Sequence, residues 1–172
     1  MLSLYDISVP VFIRALRNLD AFLQKGADWF AEQGRPESEL TTARLIEDMH
    51  PLTAQIQRAS DTAKGVVSRL TGAEVPSMPD EEASIADLRA RIAKTIAVLE
   101  GSKREDFDGK EDQPIEIWTP KASLLFKGKS YVLEFAIPNF FFHVTAAYAL
   151  LRKEGVPVGK VDYLGAIETR PH

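Results

Sequence analysis

The chain has 172 residues, 45% of them hydrophobic and 27% charged, which is the size and make-up of one globular domain rather than a disordered or fibrous chain, and residues 1–172 read as a single domain. It contains no Cys, which removes disulfides, thiolate metal ligands, Cys nucleophiles and dithiol redox chemistry, and it has three His, at positions 50, 143 and 172. The net charge of −4 divides into 14 basic and 21 acidic residues over 1–120 and 7 basic and 4 acidic over 121–172, an asymmetry too mild for the clustered basic stripe that nucleic acid requires.

The first twelve residues hold Asp6 and Pro10 and the first base is Arg14, unlike a secretory leader. No window reaches the ~18 apolar residues of a membrane span, since Phe135 to Val144 is interrupted by Pro138, Asn139 and His143. Neither a membrane nor a nucleic acid is expected as a partner, and a cytoplasmic location is the default.

Tyr5, Val9, Phe12, Leu16, Leu19, Leu23 and Phe30 make the first apolar stripe at helical spacing, with Ser3 and Asp6 in capping-box positions. Pro10 must kink this helix or mark a second start, and Gly34-Arg35-Pro36 ends it. A short turn over Glu37 to Glu47 leads to a second helix. Pro51 fits its first turn, Asp48 or His50 its cap, and Leu52, Ile56, Ala59, Ala63, Val66 and Leu70 its inner face, closed by Gly72. Pro76, Pro79 and the acidic Asp80-Glu81-Glu82 form a linker. Ser84 and Asp87 then cap a third helix with Ile85, Leu88, Ile92, Ile96 and Leu99 inward, stopped by Gly101.

The charged stretch Ser102 to Gln113 reads as an exposed loop. Residues around Ile115, Ile117, Ser123 and Leu125, divided by Thr119-Pro120, read as a β-hairpin. Tyr131, Phe135, Phe142, Ala146 and Ala149 restart the helical period in a fourth helix, bent by Pro138 and ended by Gly155 and Pro157; the tail after it docks through Val161, Tyr163 and Leu164. The fold class is mainly α: a four-helix bundle with a long crossover between helices three and four that carries a small hairpin.

Sites in such bundles are built from polar side chains on the apolar stripes. Gln55 lies on the inner side of helix two, and Asn139 and His143 share one face of helix four at i, i+4, the spacing of a HxxxH metal pair. Asp48, Gln55, Asn139 and His143 are therefore the pocket candidates, with His143 as proton acceptor or ligand, against the simpler reading of a satisfied core histidine that fixes register. In Phe140-Phe141-Phe142 one ring should face the bundle and another cover the crossover or a partner subunit. Gly155 to Lys160 imitates a phosphate loop but is one residue short, lacks the following Ser/Thr and succeeds a helix.

Tyr5-Asp6 with Ser8-Val9-Pro10, Asp48-Met49 with Pro51-Leu52 and Gln55, Pro138-Asn-Phe-Phe-Phe-His143, Gly155-Val-Pro157 and Asp162-Tyr-Leu-Gly165 together resemble the family catalogued as domain of unknown function nineteen ninety-three, in the DinB/YfiT-like superfamily. The resemblance implies a DinB-like four-helix bundle, commonly a homodimer. The metal-dependent relatives, among them thiol-S-transferase-like and maleylpyruvate-isomerase-like enzymes, take one His from helix two and a HxxxH pair from helix four. Carried over, that pair falls on Asn139 and His143 and the third ligand on Gln55, leaving one imidazole, since His50 lies ~140° around the helix from Gln55. Amide oxygens are weak ligands for Zn or Ni, so no metal is expected; Zn or Ni on His143, Asn139, Gln55 and His50 is the alternative. The expected function is a module that binds a small molecule or a partner. The alternative is a transferase or isomerase with His143 as general base, oriented by Asn139 or Asp48.

Overall fold

The computed structural model describes residues 2–168, so His172 lies outside the described residues. Four long helices, α1 (Leu4–Glu32), α3 (Leu52–Thr71), α4 (Ile85–Glu100) and α6 (Ile137–Lys153), carry the fold; α2 (Glu37–Thr42) and the terminal α7 (Lys160–Leu164) are short. Between α4 and α6 run a 3₁₀ turn (Arg104–Phe107), strands β1 (Pro114–Trp118) and β2 (Ser123–Lys127), a single helical turn α5 (Gly128–Ser130) and a π-helical segment (Tyr131–Ala136). α3 packs against α4 and α6, and α1 against α4, α6 and α7. No helix of the described residues is long and apolar enough to cross a membrane.

The capping signals lie where the sequence places them. Ser3 and Asp6 close a capping box on α1, and Ser84 and Asp87 close one on α4. Gly72 caps α3 in the left-handed conformation at φ 76°, which an L side chain resists. α1 runs through Pro10 with no second start: the missing N–H costs the Asp6 carbonyl its helical donor, and the flanking turns hold.

The inner face of α3 is Leu52, Ile56, Ala59, Ala63, Val66 and Leu70, all buried, as its stripe predicts. Phe22 is also fully buried although it falls off the stripe read for α1; its ring meets that of Tyr148 edge-on at 6.1 Å. The hairpin is antiparallel with Ile115 opposite Phe126 and Ile117 opposite Leu124, so these four side chains share the face turned to the core. Ser102 to Gln113 is not simply an exposed loop. Phe107 is fully buried there and packs edge-on against Tyr5 at 5.4 Å, pinning the crossover to α1.

Helix four departs most from expectation. Pro138 cannot donate to the carbonyl four residues back, and the chain widens to i→i+5 bonding over Tyr131–Ala136 immediately before it. One extra residue in a turn rotates everything after it by ~100°. The inward stripe therefore passes from Tyr131 to Phe140, Val144, Ala147 and Leu151, while Phe142 is 56% exposed. Of the three consecutive rings, Phe140 packs on Phe12 with the rings tilted by 37° and their centroids 4.4 Å apart, Phe141 is half-buried and Phe142 faces outward.

The tail also differs in detail. Val156 and Val158 are its buried anchors and Val161 is 77% exposed, because α7 is held by Tyr163, whose hydroxyl meets Thr145 Oγ1 at 2.9 Å and whose carbonyl accepts from Asn18 Nδ2 at 3.0 Å.

Candidate functional site

The rotation imposed by the π-helical segment turns Asn139 and His143 toward α3, where each meets its own partner. Gln55 stands one turn into α3 on the buried face. Its Nε2 donates to the His50 carbonyl at 3.0 Å, so its Oε1 faces the opposite way, 2.7 Å from His143 Nδ1. An amide oxygen can only accept, so Nδ1 carries the proton and Nε2 holds the free lone pair. Asn139 Nδ2 donates to Thr62 Oγ1 at 2.7 Å, and that hydroxyl donates to the Arg58 carbonyl at 2.8 Å.

Two polar rungs thus cross-link α3 and α6. Asn139 and His143 share a helix face but not a hydrogen-bond partner. The upper rung is nearly sealed: Gln55 is 1% and His143 8% exposed, and the Phe142 ring lies edge-on to the imidazole at 5.2 Å. Burial, reinforced by the positive Arg58 and by His50, lowers the His143 pKa to about 4. The ring is neutral at physiological pH.

The other two candidates lie elsewhere. Asp48 is exposed and caps nothing, and His50 is also exposed: its backbone carbonyl is bonded to Gln55, and its ring acts on His143 through charge alone. Pro51 is the N-cap of α3, in extended conformation, and the Leu52 N–H is met by the Ala43 carbonyl at 3.0 Å. A backbone oxygen thus meets the first donor of the helix, and no side chain, of Asp48 or of His50, caps it.

A family model described as Domain of unknown function (DUF1993) matches residues 4–164. The chain belongs to the DUF1993 family. The crystal structure of a DinB family member protein from Shewanella denitrificans is 39% identical, covers 98% of this chain and 96% of its own, and superposes with a TM-score of 0.87. The DinB-like fold is shared. No curated protein matches the chain.

The residues Gln55, Asn139 and His143 do not together fit a transition metal. One imidazole is present, its Nδ1 is committed to Gln55, and the Asn139 amide donates to Thr62 rather than turning toward His143. Among the described residues no group of three or more His, Asp and Glu could hold a metal ion.

A second polar cluster of the DUF1993 chain escaped the sequence reading. Arg91 has a side chain 1% exposed between α3 and α4, where it reaches Asp61 at 2.8 Å, Glu82 at 2.9 Å, Asp80 at 3.0 Å and the Pro79 carbonyl at 3.2 Å. Burial raises the Glu82 pKa, but hydrogen bonds from Gln57 and Arg91 outweigh it and hold the carboxyl below its usual value. Arg91 latches the 73–84 linker over the Ser60–Thr95 hydroxyl pair, 2.5 Å apart. The signal was an Arg one residue before an inward Ile, nine residues after an acidic run.

Proposed function

We propose that this DUF1993 chain is a binding module for a small uncharged molecule, in which an amide–imidazole brace stands where its metal-dependent relatives place ligands. One observation carries the reading: Gln55, clamped on the His50 carbonyl, fixes His143 as the Nδ1–H tautomer and leaves Nε2 as a hydrogen-bond acceptor. Phe142, whose ring lies edge-on to the imidazole, also lines a mostly apolar hollow of about 440 Å³ with Leu45, Met49, Phe141, Thr145 and Ala146. An apolar ligand with one O–H or N–H suits that pairing. A base with a pKa of about 4 is too weak for proton abstraction near neutral pH, which favours binding over His143-based transferase or isomerase chemistry. The proposal keeps the chain as a homodimer, which sedimentation equilibrium tests.

Phenol serves as the probe for the site. In ¹H–¹⁵N spectra of the histidine side chains, His143 is expected as the Nδ1–H tautomer at pH 7, with its Nε2 signal moving saturably upfield on phenol addition and NOEs from phenol to Met49 and Phe142. Two results overturn the reading: no response of His143 to phenol, or a stoichiometric transition metal in protein purified without an affinity tag that is lost on His143→Ala.

A further inference from the structure

We infer that a second ligand site, separate from His143, lies between α1, α6 and the chain's tail, and that it takes an uncharged molecule with a single aromatic ring. The site is a hollow of about 230 Å³. Val11 and Ala15 of α1 and Phe141 and Val144 of α6 form its base, and Leu164 and Ile167 of the tail form its outer wall. An enclosed apolar cavity of ~150 Å³ is enough to bind benzene, so one ring with a small substituent matches the volume.

The way the tail is fastened makes this hollow a built feature. Three backbone carbonyls of the tail are tied to side chains of α1: Tyr163 O to Asn18 at 3.0 Å, Leu164 O to Arg14 Nη2 at 3.0 Å and Ala166 O to the same Nη2 at 2.8 Å. Asp162 pairs with Lys25 at 2.5 Å, and the Tyr163 hydroxyl is held by Thr145. Gly165 sits at φ 72° with the Asn18 amide against the place a Cβ would occupy, so the turn that brings Ile167 back over the base requires glycine. The Asp162-Tyr-Leu-Gly165 motif therefore has a physical purpose: it spends the polar groups and leaves apolar side chains facing inward.

Charge and geometry select the occupant. Arg14, Asn18 and Tyr163 also line the hollow, but Arg14 Nη2, Asn18 Nδ2 and the Tyr163 hydroxyl are engaged and the remaining lining is apolar, which suits an uncharged ring. A carboxylate seated among these apolar side chains would have to be desolvated. Three walls from three elements make the site concave, which fits a ring better than a flat helix face of a second copy. Val11, Leu164 and Ile167 are more than one-third exposed, and a ring seated among them would cover all three.

The test uses the full chain with ¹³C-labelled methyl groups and toluene as the probe. Expected are saturable shifts and NOEs from toluene to the methyls of Val11, Ala15, Val144 and Ile167, with the His143 signals unmoved. Val11→Trp, which fills the mouth from an exposed position, should weaken toluene at least ten-fold with the thermal midpoint unchanged, and Ile167→Asp should do the same from the opposite wall. Benzoate should bind at least ten-fold more weakly than toluene. The inference is overturned by any of four results: no NOEs at saturating toluene, NOEs confined to another surface, methyl shifts that follow protein concentration and so mark a second copy in the hollow, or NOEs from residues 169–172 into the same methyls.

Discussion

Replacing Gln55 by Leu removes both arms of the upper rung with little change in volume. The two lost hydrogen bonds are unequal. The His50 carbonyl belongs to an exposed residue and can turn to water, whereas the Nδ1–H of His143, on a ring only 8% exposed, is left without a protein partner. An unsatisfied buried donor costs about 1–3 kcal/mol, and the exchanged bond about 1 kcal/mol more. Together these give about 3 kcal/mol, which in a chain of this size lowers the midpoint of thermal unfolding by roughly 6–12 °C. The companion change Gln55→Leu with His143→Leu removes donor and acceptor together and should recover all but about 1 kcal/mol, because two apolar groups of matching shape leave nothing unsatisfied. Calorimetry measures the energies, and side-chain ¹⁵N spectra of the single variant should show that the imidazole has lost its tautomer preference. A single variant that melts within 1 °C of the natural chain and keeps the Nδ1–H form would refute the claim that Gln55 orders this site.

Stability should fall as pH drops from 6.5 to about 4: the unfolded chain takes up the His143 proton that the folded chain refuses, so the folded state loses about 3 kcal/mol across that window. His143→Gln should remove most of this slope in urea titrations at stepped pH, leaving a smaller residue of the same sign from His50, whose pKa is also lowered by desolvation and by Arg58 and Arg44. Arg91→Met should cost about 3 kcal/mol, the low end for breaking a buried ion pair, because Asp61 and Asp80 are more than half exposed and rehydrate while Glu82 stays buried. Adding Glu82→Gln should restore at least 1 kcal/mol, and hydrogen exchange should quicken over residues 73–84 only when Arg91 is absent. Gly165→Ala should loosen the tail by about 1–2 kcal/mol through its left-handed φ and the Asn18 contact, seen as faster exchange at Asp162 to Gly165 with α3 unchanged.

What was legible in the residues follows from which interactions are local. Ser3 with Asp6, Ser84 with Asp87 and Gly72 act within one turn of chain, and each fixed its helix end where expected. The α3 stripe was legible because a regular helix keeps its period. The face of α6 was not, because the π-helical segment shifts the register by one residue and nothing in a 3.6-residue period announces that shift, although Pro138 marks its place. Gln55, Asn139 and His143 could be picked out as polar residues on apolar faces. Their pairing could not, since it depends on how α3 and α6 cross: His143 meets position 55 while Asn139, one turn earlier, meets position 62. Arg91 was missed for the same reason, as its partners come from α3 and a linker whose path only the fold decides.

The π-helical segment and the separate pairing of Asn139 and His143 belong to one account. A metal with three imidazoles holds two helices together through one strong centre and needs its ligands to converge. Two hydrogen-bonded rungs hold them through two weaker, separated contacts and need only that each polar group on α6 find its own partner on α3. The rotation before Pro138 presents Asn139 and His143 to α3 in that divided way, with Thr62 and Gln55 receiving them in turn. Restoring single imidazoles is therefore not expected to restore a metal centre. The paired change Gln55→His with Asn139→His should bind Zn at least ten-fold more weakly than a converged three-His site, because the 139 side chain still faces Thr62, and isothermal titration with Zn measures this. If that double variant bound Zn at nanomolar affinity with no loss of fold, the two rungs would be no more than a metal site with its ligands exchanged, and the divided geometry would carry no meaning of its own.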